Sequence, residues 1–137
     1  MFVKLRVYPQ FAPLVLRIVV GITFLIHGIM KFAALGQIVQ GFTQMGIPLP
    51  GIAGPLVALV EVIGGLALIL GVGTQLFSLL LALVMLGVIV FVKSGAGFVG
   101  GFEFELSLLA GLVALILSGP GAWAIAPERK LLKGAEA

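Results

Sequence analysis

Residues 52–70 form an apolar run with a single charged side chain, Glu61, near its middle. At about 1.5 Å of rise per residue, a helix over this run crosses the ~30 Å hydrocarbon core of a bilayer. A carboxylate at such depth costs roughly 2.5–3.5 kcal/mol on insertion scales, so it calls for a partner or a task. The rest of the chain leaves no soluble alternative. Of its 137 residues, 61% are hydrophobic and 9% charged, with mean hydropathy +1.32, and a soluble domain of this length needs far more charge on its exterior. The chain reads as one integral membrane domain over residues 1–137.

Four hydrophobic segments are drawn, at residues 14–34, 52–70, 75–92 and 102–117, which predicts an all-α antiparallel four-transmembrane-helix bundle. The first segment is too long for a cleaved signal peptide, is interrupted by His27 and Lys31, and has no cleavage-like site behind it. Between the first two segments, Ile38, Phe42, Met45 and Leu49 recur at helical spacing with no charge nearby. That pattern predicts a short amphipathic helix lying flat on the membrane and ending at Gly46-Ile47-Pro48. The turn Gly71-Val72-Gly73-Thr74 is short enough to force its flanking helices to be adjacent and antiparallel. The stretch 95–101 is glycine-rich and mobile by composition.

Charge fixes the expected orientation. Lys4 and Arg6 precede the first span and Arg129, Lys130 and Lys133 follow the last, while Lys31 and Lys93 stand at the opposite ends. By the positive-inside bias, a cell-membrane protein with both termini cytoplasmic is expected. The net charge of +3 and pI near 9.7 are therefore topology signals rather than a nucleic-acid footprint. The charged tail at 128–133 is expected on the inner membrane surface, with Tyr8 and Trp123 as interfacial anchors. The chain has no cysteine, which excludes disulfides, thiolate nucleophiles, iron–sulfur clusters and Cys-ligated zinc. Its one histidine cannot supply bis-histidine haem ligation or a His-rich metal site, so no metal is expected from this chain alone.

Gly21 and Gly28 lie seven apart, as do Gly64 and Gly71, and each pair is expected on one helix face where the first and second spans touch. Depth then sorts the polar residues. Counting ~1.5 Å per residue, His27 lies about 10 Å and Glu61 about 13 Å below the outer boundary, so the two can meet. Lys31 is one turn further along the same face, and Lys93 and Glu103 close the third and fourth spans on that side. Residues two apart on a helix point about 200° from each other, so Glu103 and Glu105 cannot both face this cluster; Glu103 is chosen. Arg17 belongs near the inner boundary, snorkelling to phosphate or capping the bundle floor. A buried pair that only fixes helix register explains Glu61 with His27 or Lys31 about as well as a substrate or proton site does. For His27 alone, a packing role outweighs a ligand role.

Arg17-x3-Gly21-x2-Phe24-x2-His27-Gly28-x2-Lys31, then Glu61-x2-Gly64-Gly65 and Gly71-x2-Thr74, then Gly100-Gly101-x-Glu103 and Gly119-Pro120-Gly121, resembles the DoxX family of small four-helix membrane proteins. The resemblance covers residues 14–121. It implies association with membrane redox complexes, among them archaeal thiosulfate:quinone oxidoreductase and a mycobacterial protein linked to oxidative-stress enzymes. His27, Lys31, Glu61 and Glu103 match the pattern. Gln75 stands where the family often has Arg, Lys93 where it often has His, and Ala124 and Ala126 where Ser and Asp are usual; Glu105 is an extra carboxylate. The expectation is a membrane subunit of an oxidoreductase system, not catalytic alone, that binds a quinone or a small sulfur-type substrate in an outer-half polar pocket. Glu61, His27 and Lys31 would carry the chemistry, with Arg17, Lys93 and Glu103 binding substrate or cofactor. The electrons would come from a protein partner. The alternatives are a non-catalytic membrane anchor or assembly scaffold, and a small transporter or proton leak that needs a path to the inner side.

Overall fold

The computed structural model describes residues 7–126. Among the described residues the chain is helical and forms no strand, and four helices are long and apolar enough to cross a membrane. Helix α1 runs Phe11–Ala33, and Pro13 is accommodated because its missing N–H falls in the first turn. The short helix α2, Leu35–Gln44, follows it as expected and packs on α3, Pro50–Leu70. Helix α4, Thr74–Gly87, continues into a wider π-helical turn at Val88–Val92. Helix α5, Glu103–Ser118, completes the bundle. The spans form a ring in which α1 packs on α3 and α5, and α4 packs on α3 and α5.

The turn from α3 to α4 has a clear local cause. Val72 N donates to Ala67 O at 2.9 Å and Gly71 N to Leu68 O at 3.3 Å, the paired bonds of a Schellman ending, with Gly71 at φ 72°. Space gives a second reason for glycine there: a Cβ on Gly71 would stand 2.7 Å from Ala124 Cα.

The ring closes on an apolar core that includes Phe24, Leu68, Leu81, Leu112 and Leu115, each almost fully buried. Residues such as Val15, Val19, Ile26 and Leu83 remain exposed, as befits side chains that face lipid. Burial against acyl chains gives little driving force, so helix contacts rest on close fit. The glycines supply it, although not all as expected from their spacing. Gly28 meets Val62 and Glu61, and Gly21 meets Gly65, whereas Gly64 faces Leu81 of α4 and Gly71 faces Ala124 and Arg17. The second-span glycine that touches α1 is therefore Gly65, because adjacent glycines on a helix serve different neighbours.

The last span also departs from expectation at its start. Residues 98–102 form a wide turn with non-helical backbone at Val99, Gly100 and Gly101, closed by Phe102 N donating to Gly97 O at 3.0 Å. Gly101 is buried there, since a Cβ would stand 2.7 Å from Ala96 O. Beyond α5, the segment 119–126 folds back over the opposite end of the bundle. Ala122 N donates to Gln10 O at 2.8 Å and Ile125 N to Leu70 O at 3.1 Å, lacing the start of α1 to the end of α3. The Phe11 and Trp123 rings meet edge to face there, 5.4 Å apart. The charged tail at 128–133 lies outside the described residues.

Candidate functional site

The deep carboxylate has found its partner. Glu61 is almost fully buried in α3, and Lys31 of α1 donates to both of its oxygens, at 2.8 and 3.0 Å. Such a charge-assisted pair, with one ammonium donating to both carboxylate oxygens, gives the deep carboxylate the partner its burial calls for. Gly28 makes it possible, because its missing side chain brings the α1 backbone against Glu61 and Val62. The Lys31 side chain keeps 23% exposure, while that of Glu61 keeps 1%. The carboxylate is thus the enclosed member and the ammonium its outlet.

A second pair stands nearby. Lys93 Nζ lies 3.8 Å from Glu105 Oε1, an ion pair longer than a hydrogen bond, and Glu105 Oε2 is buried without a hydrogen-bond partner among the described residues. Here the structure corrects the choice of Glu103. Glu105 lines the cavity, whereas Glu103 accepts a hydrogen bond from Gly100 N at 3.1 Å at the start of α5. The reason is helix phase. The wide turn at 98–102 makes Glu103 the first residue of the helix, and the buried face of α5 runs through Glu105, Leu112 and Leu115. That face is hidden in the sequence, because beyond its first turn α5 carries no charge and only Ser107 and Ser118 among apolar residues and Gly111. The π-helical turn at the end of α4, in which Lys93 N donates to Val88 O at 3.0 Å, sets the phase of Lys93 in a similar way.

Both pairs line one cavity of about 300 Å³ between α1, α3, α4 and α5. His27 lines it as well, with its ring tilted against Phe104 at 5.8 Å. Phe24 and Met85 form part of the apolar wall. Of the six residues singled out from the sequence, His27, Lys31, Glu61 and Lys93 come together here. Glu103 and Arg17 do not. Two lysines, each held by a carboxylate, and one imidazole can donate hydrogen bonds to an oxygen-bearing ligand and hold or hand over protons.

Arg17 stands 14 positions before Lys31 in α1, about 21 Å away by helix rise, at the other end of the bundle. Its guanidinium is buried and donates to the carbonyls of Leu68 (3.0 Å), Ile69 (2.7 Å), Pro120 (2.9 Å) and Ala122 (2.9 Å). Those donors are spent on backbone at the end of α3 and in the 119–126 segment. Arg17 caps the bundle floor and takes no part in the cavity. Gln75, at the same end, donates to Ile116 O at 2.6 Å and ties α4 to α5.

A family model for DoxX matches residues 12–94. The Bacillus subtilis (strain 168) protein named "Putative oxidoreductase CatD" is 35% identical over 118 residues, which is 86% of this chain and 87% of its own length. "Uncharacterized membrane protein Rv3486" of Mycobacterium tuberculosis (strain ATCC 25618 / H37Rv) is 37% identical over 136 residues, 89% of this chain and 82% of that one. "Inner membrane protein YqjF" of Escherichia coli (strain K12) is 34% identical over 115 residues, 82% and 87% of the two lengths. No solved structure matches the chain. With the family model spanning more than half of the sequence and relatives covering more than four fifths of it, this four-span membrane protein belongs to the DoxX family.

Proposed function

We propose that the protein is a membrane subunit of a redox system and that its polar cavity receives the headgroup of a quinone. The observation that carries this reading is the convergence of two lysine–carboxylate pairs, Lys31–Glu61 and Lys93–Glu105, on one cavity of about 300 Å³. A quinone headgroup is small, uncharged and bears two carbonyl oxygens, which suits a site with two cationic donors and no excess charge. When such a ligand binds it can take up two electrons and two protons and leave as the quinol, the electrons coming from a partner redox protein. The residues of this chain orient it and manage protons. Lys31 and Lys93 turn from their carboxylates to donate to the ring oxygens. Glu61 and Glu105 hold the compensating charge where the dielectric is low. The unpartnered Glu105 Oε2 and the loose 3.8 Å contact with Lys93 leave that pair room to rearrange. The redox name of the Bacillus subtilis relative agrees with this reading.

The cavity faces the outer side in this proposal, since Lys4, Arg6, Arg129, Lys130 and Lys133 draw the Arg17 end to the cytoplasm. A scaffold reading would use glycine faces to dock a partner, but Gly21, Gly28 and Gly65 are consumed in contacts within the chain. The test is to isolate the complex from native membranes in mild detergent, identify its subunits and bound quinone by mass spectrometry, and measure quinone-linked turnover. Glu61→Gln and Lys31→Met should abolish turnover per amount of folded protein in the membrane, with Glu61→Gln, the milder change for stability, as the deciding variant. Normal turnover in both, or a loss in proportion to lost protein, would leave the chain a scaffold.

A further inference from the structure

Lys31 borders a second space. Beside the polar cavity lies an apolar groove of about 500 Å³ between α2, α3 and α4, walled by Phe42, Met45, Val57, Val84 and Phe91 among others. Among the described residues Lys31 is its one charged lining residue, and Lys31 and Val88 line both spaces. The groove opens towards lipid, as the exposure of Met45 and Phe91 indicates. Polar and apolar spaces thus adjoin, with a single ammonium at their boundary.

We propose that this groove holds the isoprenoid tail of the quinone whose headgroup occupies the polar cavity, and that it sets a preference for long-tailed membrane quinones; the inference rests on the headgroup reading above. Continuity with the polar cavity selects this occupant over the acyl chain of a phospholipid. The groove shares Lys31 and Val88 with that cavity, whose Glu61 lies about 16 Å along α3 from the helix start, deeper than lipid phosphates at the membrane surface. A quinone headgroup can travel that deep because it is uncharged. Its tail must then leave sideways, and the groove adjoins the cavity where Lys31 and Val88 stand. Helix α2 and its C-cap roof the groove with Ile38, Phe42 and Met45, which gives the interfacial helix a purpose beyond lying on the membrane. The tail gains little from leaving acyl chains. What the groove supplies is fit and orientation of the head towards Lys31 and Lys93.

Gly87 gives the test, because it lines the groove and a Cβ there meets nothing within 4 Å. Gly87→Trp fills the groove from open space. In the full chain in nanodiscs, binding of a quinone bearing four isoprene units should weaken at least tenfold in Gly87→Trp, while a tail-less quinone of the same ring should bind as to the wild type. Unchanged binding of the tailed quinone would overturn the tail site and leave the headgroup reading standing. Failure of both quinones to bind the wild type would remove the headgroup reading and the tail site with it. An independent measurement avoids the variant. A quinone with a photoreactive group on its tail should label peptides carrying Phe42, Met45 or Phe91. Labelling confined to the lipid face of α1, at Val15, Val19 or Ile22, or capture of these groove peptides by a phospholipid acyl-chain probe in preference to the quinone, would overturn the proposal.

Discussion

Gly21 and Gly65 meet backbone to backbone across α1 and α3. A Cβ on Gly65 would stand 2.6 Å from the Gly21 carbonyl oxygen, and a Cβ on Gly21 would stand 2.7 Å from the Gly65 carbonyl oxygen. Neither neighbour is a flexible side-chain end, so an added methyl must push the helices apart. Gly65→Ala should therefore cost about 1–3 kcal/mol and lower the melting temperature of the purified protein in detergent. Gly36→Ala, in α2 with nothing within 4 Å of the new Cβ, should leave the melting temperature unchanged or raise it.

The Lys31–Glu61 pair predicts an asymmetry between its members. Lys31→Met strands a buried carboxylate, whereas Glu61→Gln leaves a partly exposed ammonium that can extend towards the surface. Removing Lys31 should cost about 3 kcal/mol, and removing the Glu61 charge clearly less. The double variant should recover much of the Lys31→Met loss. Thermal denaturation of the four proteins in one detergent measures the cycle; equal losses in both single variants would contradict it.

Glu105 and Glu103 should separate in activity. Glu105→Gln removes the partner of Lys93 in the cavity and is expected to lower quinone-linked turnover at least tenfold. Glu103→Gln should leave turnover within about twofold and cost about 1 kcal/mol or less, since it weakens an exposed hydrogen bond from Gly100 N and removes a charge in the first turn of α5. Turnover and melting temperature on the same preparations distinguish the two roles.

Orientation is testable without any ligand. Single cysteines at Gly36 and Ala96 should react with an impermeant maleimide added to intact cells, and one at Ala135 should react only after lysis. The native chain has no cysteine to interfere. Labelling of the Ala135 site from outside would invert the orientation and the side from which the cavity is reached.

The spans and the interfacial helix were legible in the sequence because each rests on a local property: run length, apolar periodicity at residues 38–49, or a glycine turn at 71–74. That Glu61 meets the outer part of α1 was legible too, since depth along two antiparallel helices follows from counting residues. Counting left His27 and Lys31 both open as its partner, and only the structure picks Lys31. What counting could not supply is rotational phase. Glu105 faces the cavity because a turn with irregular backbone at 99–101 resets the helix, and nothing in an apolar α5 marks which face is inward. The same lack of phase hid the choice between Gly64 and Gly65 as the contact with α1. The groove beside Lys31 was not legible at all, because it is the space left between three elements rather than a property of any one.

Arg17 imposes an order on biogenesis. It enters the membrane with the first span, yet two of its carbonyl partners, at Leu68 and Ile69, arrive only when the second span is complete, and the other two, at Pro120 and Ala122, only after the fourth. Until the ribosome has delivered residue 122, the guanidinium near the bundle floor lacks the Pro120 and Ala122 carbonyls to which it donates in the finished protein. A chain stopped short of that point, or one whose last helix has not been inserted, differs chemically from the finished protein at one recognisable spot. Membrane quality control acting on polar groups exposed to lipid could therefore discriminate incomplete from complete chains by a residue laid down more than a hundred positions earlier.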